Sequence, residues 1–374
     1  MKNMYLSAVI FAVSLFSIPA WGADSTAAST PASSKISWSG LVDVYYSRNF
    51  NSPYDQMNQL RNFDIYENQF GFNLAKLTVQ EQAQPLGFRV DLAIGTGNDI
   101  VQGLLNTSTG AAVASTSTLN LVEQAYLTAI IPLGSGLTVD IGKFATMMGY
   151  EVIESNGNWN YSRSFLFAWA IPYYHMGMRL TYPVTSNFTA ALHIVNSWNT
   201  VIDNNSAKSI GLGLNYSPTA ATTITLNGMS GFEQPDTISS GKKDVGELIV
   251  TQQICNDITF AMDADYGQES INGLLNIWKG VAAYVRYNLD SKSDLAVRGE
   301  IYNDRNGYTT GVKFSNPIFK EVTATYEYRP WDPIIVRFEA RDDFANGNAF
   351  ISAGSMLPTN SSQPTFLAGV IITF

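Results

Sequence analysis

From Ile36 to the last residue, the sequence is cut into short segments in which apolar and polar residues alternate with a period of two. In Ile334–Asp342, Val336, Phe338 and Ala340 fall on one side and Arg337, Glu339 and Arg341 on the other. In Val322–Arg329, Ala324, Tyr326 and Tyr328 oppose Thr325, Glu327 and Arg329, and Leu295–Ile301 sets Leu295, Val297 and Ile301 against Arg298 and Glu300. A period of two places each set on one face of a pleated strand. The segments run to about ten residues, the length a tilted strand needs to cross a bilayer, whereas soluble strands more often have five or six.

About sixteen such segments can be counted, give or take about two, an even number of the kind that closes an antiparallel transmembrane barrel. Their connections alternate in length. Gln84-Pro85, Thr185–Asn187, Asn256-Asp257 and Pro330–Asp332 are tight, whereas Ser47–Asn68, Gly97–Thr118, Met147–Tyr173 and Asp343–Pro364 are long. The expected fold is therefore all-β: a closed antiparallel transmembrane β-barrel over 36–374, with short periplasmic turns and long extracellular loops. Phe70–Gln82 and Leu119–Leu133 alternate poorly, which marks them as sites for bulges.

Composition agrees. Only 14% of the 374 residues are charged, against about 25% in soluble domains, yet beyond the first 22 residues the longest apolar run, Phe165–Pro172, is far shorter than a spanning helix. With 22 Lys+Arg against 31 Asp+Glu there is no basic footprint for nucleic acid. The single cysteine, Cys255, excludes a disulfide framework and reads as a wall residue near a turn. No cofactor or metal is expected. Asp304 and the Asp342-Asp343 pair lack calcium-loop spacing and read as solvated loop groups.

Met1–Gly22 has the form of a secretory signal: Lys2, an apolar stretch from Tyr5 to Pro19, and small residues at Ala20 and Gly22 for cleavage before Ala23. Residues 23–35 form a small-polar leader. At the other end Ala368, Val370, Ile372 and Phe374 share a face, so the chain closes on an aromatic ring like the terminal signal that hands barrels to their insertion machinery.

Several phrases resemble one family, the OmpL-like β-barrel porins of Gram-negative outer membranes. They include Ile141–Phe144 with Gly149–Val152, Asn158–Ser164, Ile171–Gly177, Trp278–Val281, Arg298–Glu300 with Asn303–Gly307, Phe338–Asp343 and Val370–Phe374. The resemblance implies an outer-membrane barrel with a presumed pore, and carries neither catalytic residues nor an agreed solute.

Parity assigns the inward face. It holds Asp43, Arg89, Asp91, Asp140, Arg179, Glu247, Asp263, Asp265, Arg286, Arg298, Glu300, Glu327, Arg329, Arg337, Glu339 and Arg341. A Lys or Arg on the lipid face costs about 2–4 kcal/mol at mid-depth, so these charges belong inside, against water. The near balance of signs predicts no strong ion selectivity. Arg298/Glu300 and Arg337/Glu339/Arg341 read as a ladder of wall-stiffening pairs. Met147–Tyr173 carries Glu151, Glu154 and Arg163 among Trp159, Tyr161, Phe165, Phe167 and Trp169. By analogy with sixteen-strand general porins this third long loop is the candidate constriction, and packing against a neighbouring subunit or the bilayer edge is the competing reading. The same analogy implies a homotrimer.

The expected function is passive diffusion of small hydrophilic solutes through an outer-membrane channel. A substrate-specific channel binding sugars on Trp and Tyr is the alternative. A hydrolase using His175 or His193, both inward by parity, lacks any G-x-S-x-G signature, and an adhesin is the remaining class.

Overall fold

The computed structural model describes residues 36–105 and 117–374. The signal and leader segments expected at 1–22 and 23–35 lie outside the described residues. The strands are β1 (Ser37–Asn49), β2 (Gln69–Glu81), β3 (Leu86–Ile94), β4 (Val122–Ile131), β5 (Leu137–Ala145), β6 (Tyr174–Thr185), β7 (Phe188–Val195), β8 (Ser209–Thr219) and β9 (Thr222–Gly231). Then follow β10 (Ser240–Gln253), β11 (Ile258–Ile271), β12 (Leu274–Asn288), β13 (Ser293–Asp304), β14 (Ile318–Trp331), β15 (Ile334–Ala345), β16 (Phe350–Ile351), β17 (Pro358–Asn360) and β18 (Ser362–Thr373).

Sixteen of these form one closed sheet in which each strand pairs with its sequence neighbour and β18 returns to pair with both β15 and β1. All of its pairings are antiparallel, as at the seam, where Asp43 faces Ile371 and Tyr45 faces Gly369. Closure leaves no strand edge, which the hydrocarbon of a membrane requires because it offers backbone groups no partner. β16 and β17 make a separate small hairpin in the last long connection.

The polarity of the wall is inverted relative to a soluble barrel. On β14, Glu321, Thr323, Thr325 and Glu327 are buried while Val322, Ala324, Tyr326 and Tyr328 are exposed. Leu127, Leu212, Leu226, Val285, Val297, Phe338 and Val370 lie exposed on the outside of the same sheet. Among the described residues no helix is long and apolar enough to cross a membrane.

Two bulges fall in the segments that alternate poorly. On β2 the extra residue is Asn73, opposite the step from Asp43 to Val44; on β4 it is Glu123, opposite the step from Asp91 to Leu92. Each bulge puts two adjacent residues, Asn73-Leu74 and Glu123-Gln124, on the buried side.

Connections 82–85, 132–136, 186–187, 220–221, 254–257, 289–292 and 332–333 are tight and share one rim with the start of β1 and the end of β18. Those on the opposite rim are long, with one departure from expectation: β11 and β12 are joined there by Asn272-Gly273 alone. Both residues have positive φ (51° and 82°), the twist a two-residue hairpin needs. Cys255 lies exposed within the 254–257 turn rather than on the wall.

Candidate functional site

Many of the inward charges of β10–β15 are buried against protein. The connection 146–173, rooted between β5 and β6, runs against the inner face of the wall, so Met147–Tyr173 packs inside the barrel and not on a neighbouring subunit or the bilayer edge. Its main chain supplies most of the contacts. Glu339 accepts from Tyr161 N–H (2.6 Å) and Ser162 N–H (3.0 Å), and Glu300 from Phe165 N–H (2.6 Å) and Leu166 N–H (2.7 Å). Arg337 donates to the carbonyls of Ser155 (2.7 Å) and Asn160 (3.2 Å), and Arg341 to that of Arg163 (2.6 Å). Glu247 accepts from Gly149 N–H (2.6 Å), and Asp263 from Tyr150 N–H (3.2 Å).

Loop side chains complete the attachment. Glu151 pairs with Arg298 at 2.6 Å, and Arg298 also holds Glu321 at 2.6 Å. The Tyr161 hydroxyl donates to Asp43 at 2.6 Å; burial, and after it the charge of Asp43, raises this phenol well above its ordinary pKa, so it stays a neutral donor. Arg163 is enclosed over the Phe63 ring (4.5 Å) and donates to the carbonyls of Val152, Ile153 and Tyr161; its burial lowers its pKa. Trp159 stacks edge-on to Tyr150 at 5.5 Å, and Tyr150 lies 4.7 Å from Tyr284 on the wall. Leu166–Ala170 form a single π-type turn whose end is held by Trp278, which donates to the Ala170 carbonyl (3.0 Å). The first long connection joins in: Arg61 bridges Asp64 and Asp343, and Asn62 donates to the Ala168 carbonyl at 3.1 Å.

This corrects two expectations. Arg298/Glu300 and Arg337/Glu339/Arg341 are not a ladder of pairs along their own strands. Arg298 reaches across to Glu321 on β14 and Arg337 across to Glu327, while Glu300 and Glu339 turn to the loop; only Arg341 pairs along its own strand, with Asp343. Nor do Asp43, Arg298, Glu300, Arg337, Glu339 and Arg341 face water; the loop buries all six. The reason is supply: a loop crossing the bore brings main-chain donors and acceptors that satisfy both signs. The loop-charge reading is also revised, since Asp304 accepts from the N–H groups of Tyr308, Thr309 and Thr310, and Asp343 is held by Arg61 and Arg341.

The remaining inward charges sit toward the tight-turn rim as pairs: Arg89 with Asp91 (3.0 Å), Arg179 with Asp140 (2.7 Å), Arg286 with Asp294 (2.5 Å), and Arg329 with Glu327 and, at 3.6 Å, Asp294. His175 and His193 are inward and buried; His175 lies between Ser197 O (3.2 Å) and the Thr146 hydroxyl (3.1 Å).

Two carboxylate groups have metal-like spacing among the described residues. Asp91, Glu123 and Glu154 enclose Lys76 Nζ, which already supplies a cation. Glu247, Asp263 and Asp265 gather within 4.8 Å of one another, and neither oxygen of Asp265 has a hydrogen-bond partner. Parity missed Lys76 and Glu123 because the bulges break the period around them. It missed Glu321 and Asp294 because their strands extend past the segments the alternation marks.

The family model described as "Putative beta-barrel porin-2, OmpL-like" matches residues 35–374. The chain belongs to this family. Solved porins share its fold. The anion-selective porin of Comamonas acidovorans superposes with a TM-score of 0.62 at 9% identity, covering 91% of this chain and 100% of its own. A loop-deletion mutant of Vibrio cholerae OmpT gives 0.59 at 10% identity, covering 92% and 100%. The outer-membrane channel DcaP of Acinetobacter baumannii gives 0.59 at 8% identity, covering 91% and 97%. At these identities the likeness shows the fold alone. No curated protein matches the chain. The porin is an outer-membrane channel, its tight-turn rim the periplasmic one by the family's arrangement.

Proposed function

We propose that this porin passes small hydrophilic solutes by passive diffusion, through a bore narrowed by 146–173 and lined toward the periplasm by Arg89, Asp91, Asp140, Arg179, Arg286, Glu327 and Arg329. The observation that carries the reading is the inverted wall: apolar side chains outside, paired charges and loop-bound carboxylates inside. A sixteen-strand barrel is wide enough to hold an aqueous channel.

The mature chain begins at Ala23 after export, and the outward stripe ending at Phe374 engages the insertion machinery. A homotrimer is part of this reading, as a V. cholerae OmpT structure is described as a trimer form. The geometry favours a channel over catalysis: among the described residues neither ring nitrogen of His193 has a hydrogen-bond partner, and the Thr146 hydroxyl beside His175 accepts from Met148 N–H (3.2 Å).

Swelling of liposomes containing the porin tests the proposal. Diffusion predicts uptake of small sugars that rises linearly with concentration and falls smoothly with solute size. Saturation by one sugar, with others excluded at equal size, establishes the substrate-specific alternative.

A further inference from the structure

The wall pairs toward the periplasmic rim do not present their two partners to the bore equally. Arg89, Arg179, Arg286 and Arg329 are 25–37% exposed at the side chain, whereas Asp91, Asp140, Asp294 and Glu327 are at most 10% exposed. Lys243 and Glu269 repeat the asymmetry higher in the barrel, at 15% and 0%. Stem length explains most of it. An aspartate has one methylene and lies against its own strand, while an arginine arches over it and sets its guanidinium in the lumen.

The other acidic groups of the inner face are covered. Glu151, Glu300, Glu321 and Glu339 are buried among arginines and loop amides, and Glu247, Asp263 and Asp265 lie buried beside Gly149 and Tyr150. Glu154 keeps 23% of its side chain exposed, and Lys76 holds it. Asp257, Asp290 and Asp332 stand on the turns outside the wall, where bulk water and salt screen them.

We infer that the conducting path prefers anions, although the whole chain carries a formal charge of −9. The ligand class is the small inorganic or organic anion, such as chloride or a short carboxylate. The four guanidiniums stand on β3, β6, β12 and β14, so they flank the passage from opposite sides of the wall. A guanidinium offers forked donors that suit carboxylates. A narrow aqueous path with low-dielectric walls focuses such a field. This inference rests on the diffusion-channel reading above.

The test is the reversal potential of the porin in planar bilayers under a potassium chloride gradient. The expected chloride-to-potassium permeability ratio is roughly threefold above unity. Replacing Arg89, Arg179, Arg286 and Arg329 by Gln brings it to one or below, whereas Lys replacements keep it above one. Lys320→Gln, which removes an exposed charge from the outer face of β14, leaves it unchanged. A wild-type channel that conducts but favours potassium overturns the anion preference and leaves the channel reading standing, whether or not the fourfold variant folds. Absence of any conducting step removes both.

Discussion

Arg298 is fully enclosed between two carboxylates, Glu321 on the adjoining strand and Glu151 on the loop, and it also donates to the Ser162 carbonyl at 2.7 Å. Removing one member of a buried ionic group leaves the others unpaired, which costs about 3–5 kcal/mol. Arg298→Met is therefore expected to lower the urea midpoint of the folded barrel sharply. Arg329→Gln, at a half-exposed pair, is expected to cost less than about 1 kcal/mol. Equal midpoints for the two variants would contradict the burial argument. At this scale the sequence was legible in part. Parity found Arg298, Glu300, Arg337 and Glu339 on the inner face, because parity alone decides which face a strand residue takes. Their partners were not legible. Glu300 binds the amides of Phe165 and Leu166, 135 and 134 residues away, and a main-chain N–H has no residue identity to read.

The loop 146–173 and the turn 272–273 are the two elements whose behaviour separates wall from bore. No hydrogen bond of the barrel's strand ladders uses residues 156–161. Deleting Asn156–Tyr161 is thus expected to leave the barrel folded, as judged by heat-modifiable gel mobility, and to raise single-channel conductance. Unchanged conductance in a folded variant takes the loop out of the conducting path. Gly273 stands at φ 82° in the tightest connection of the extracellular rim. A β-branched side chain there is strained by about 1–2 kcal/mol, so Gly273→Val should shift the unfolding midpoint without altering conductance. The bulges at Asn73 and Glu123 were legible as lapses in alternation. Their consequence, Asn73 donating to Asp43 at 2.6 Å and Glu123 lying 3.5 Å from Lys76, was not, because a lapse shows that a residue is added and not which way it points.

For the whole molecule, the closed sheet turns one simple alternation into two environments. Val297 faces outward near the middle of β13, and Val297→Arg is expected to cost about 2–4 kcal/mol in a bilayer, read as a lower urea midpoint in lipid vesicles. Strand number and closure were legible because about sixteen segments and alternating connection lengths leave few other topologies. How much of the bore the loops occupy depends on long-range contacts, and it emerged only in three dimensions. The central claim is that the polar faces of these strands enclose water. Substituted-cysteine labelling during bilayer recording tests it most directly, in a Cys255→Ser background. A membrane-impermeant charged thiol reagent is expected to reduce the current through Arg179→Cys, on the inner face of β6, and to leave Leu212→Cys, on the outer face of β8, unaffected. Current that responds at Leu212→Cys and not at Arg179→Cys would contradict the account.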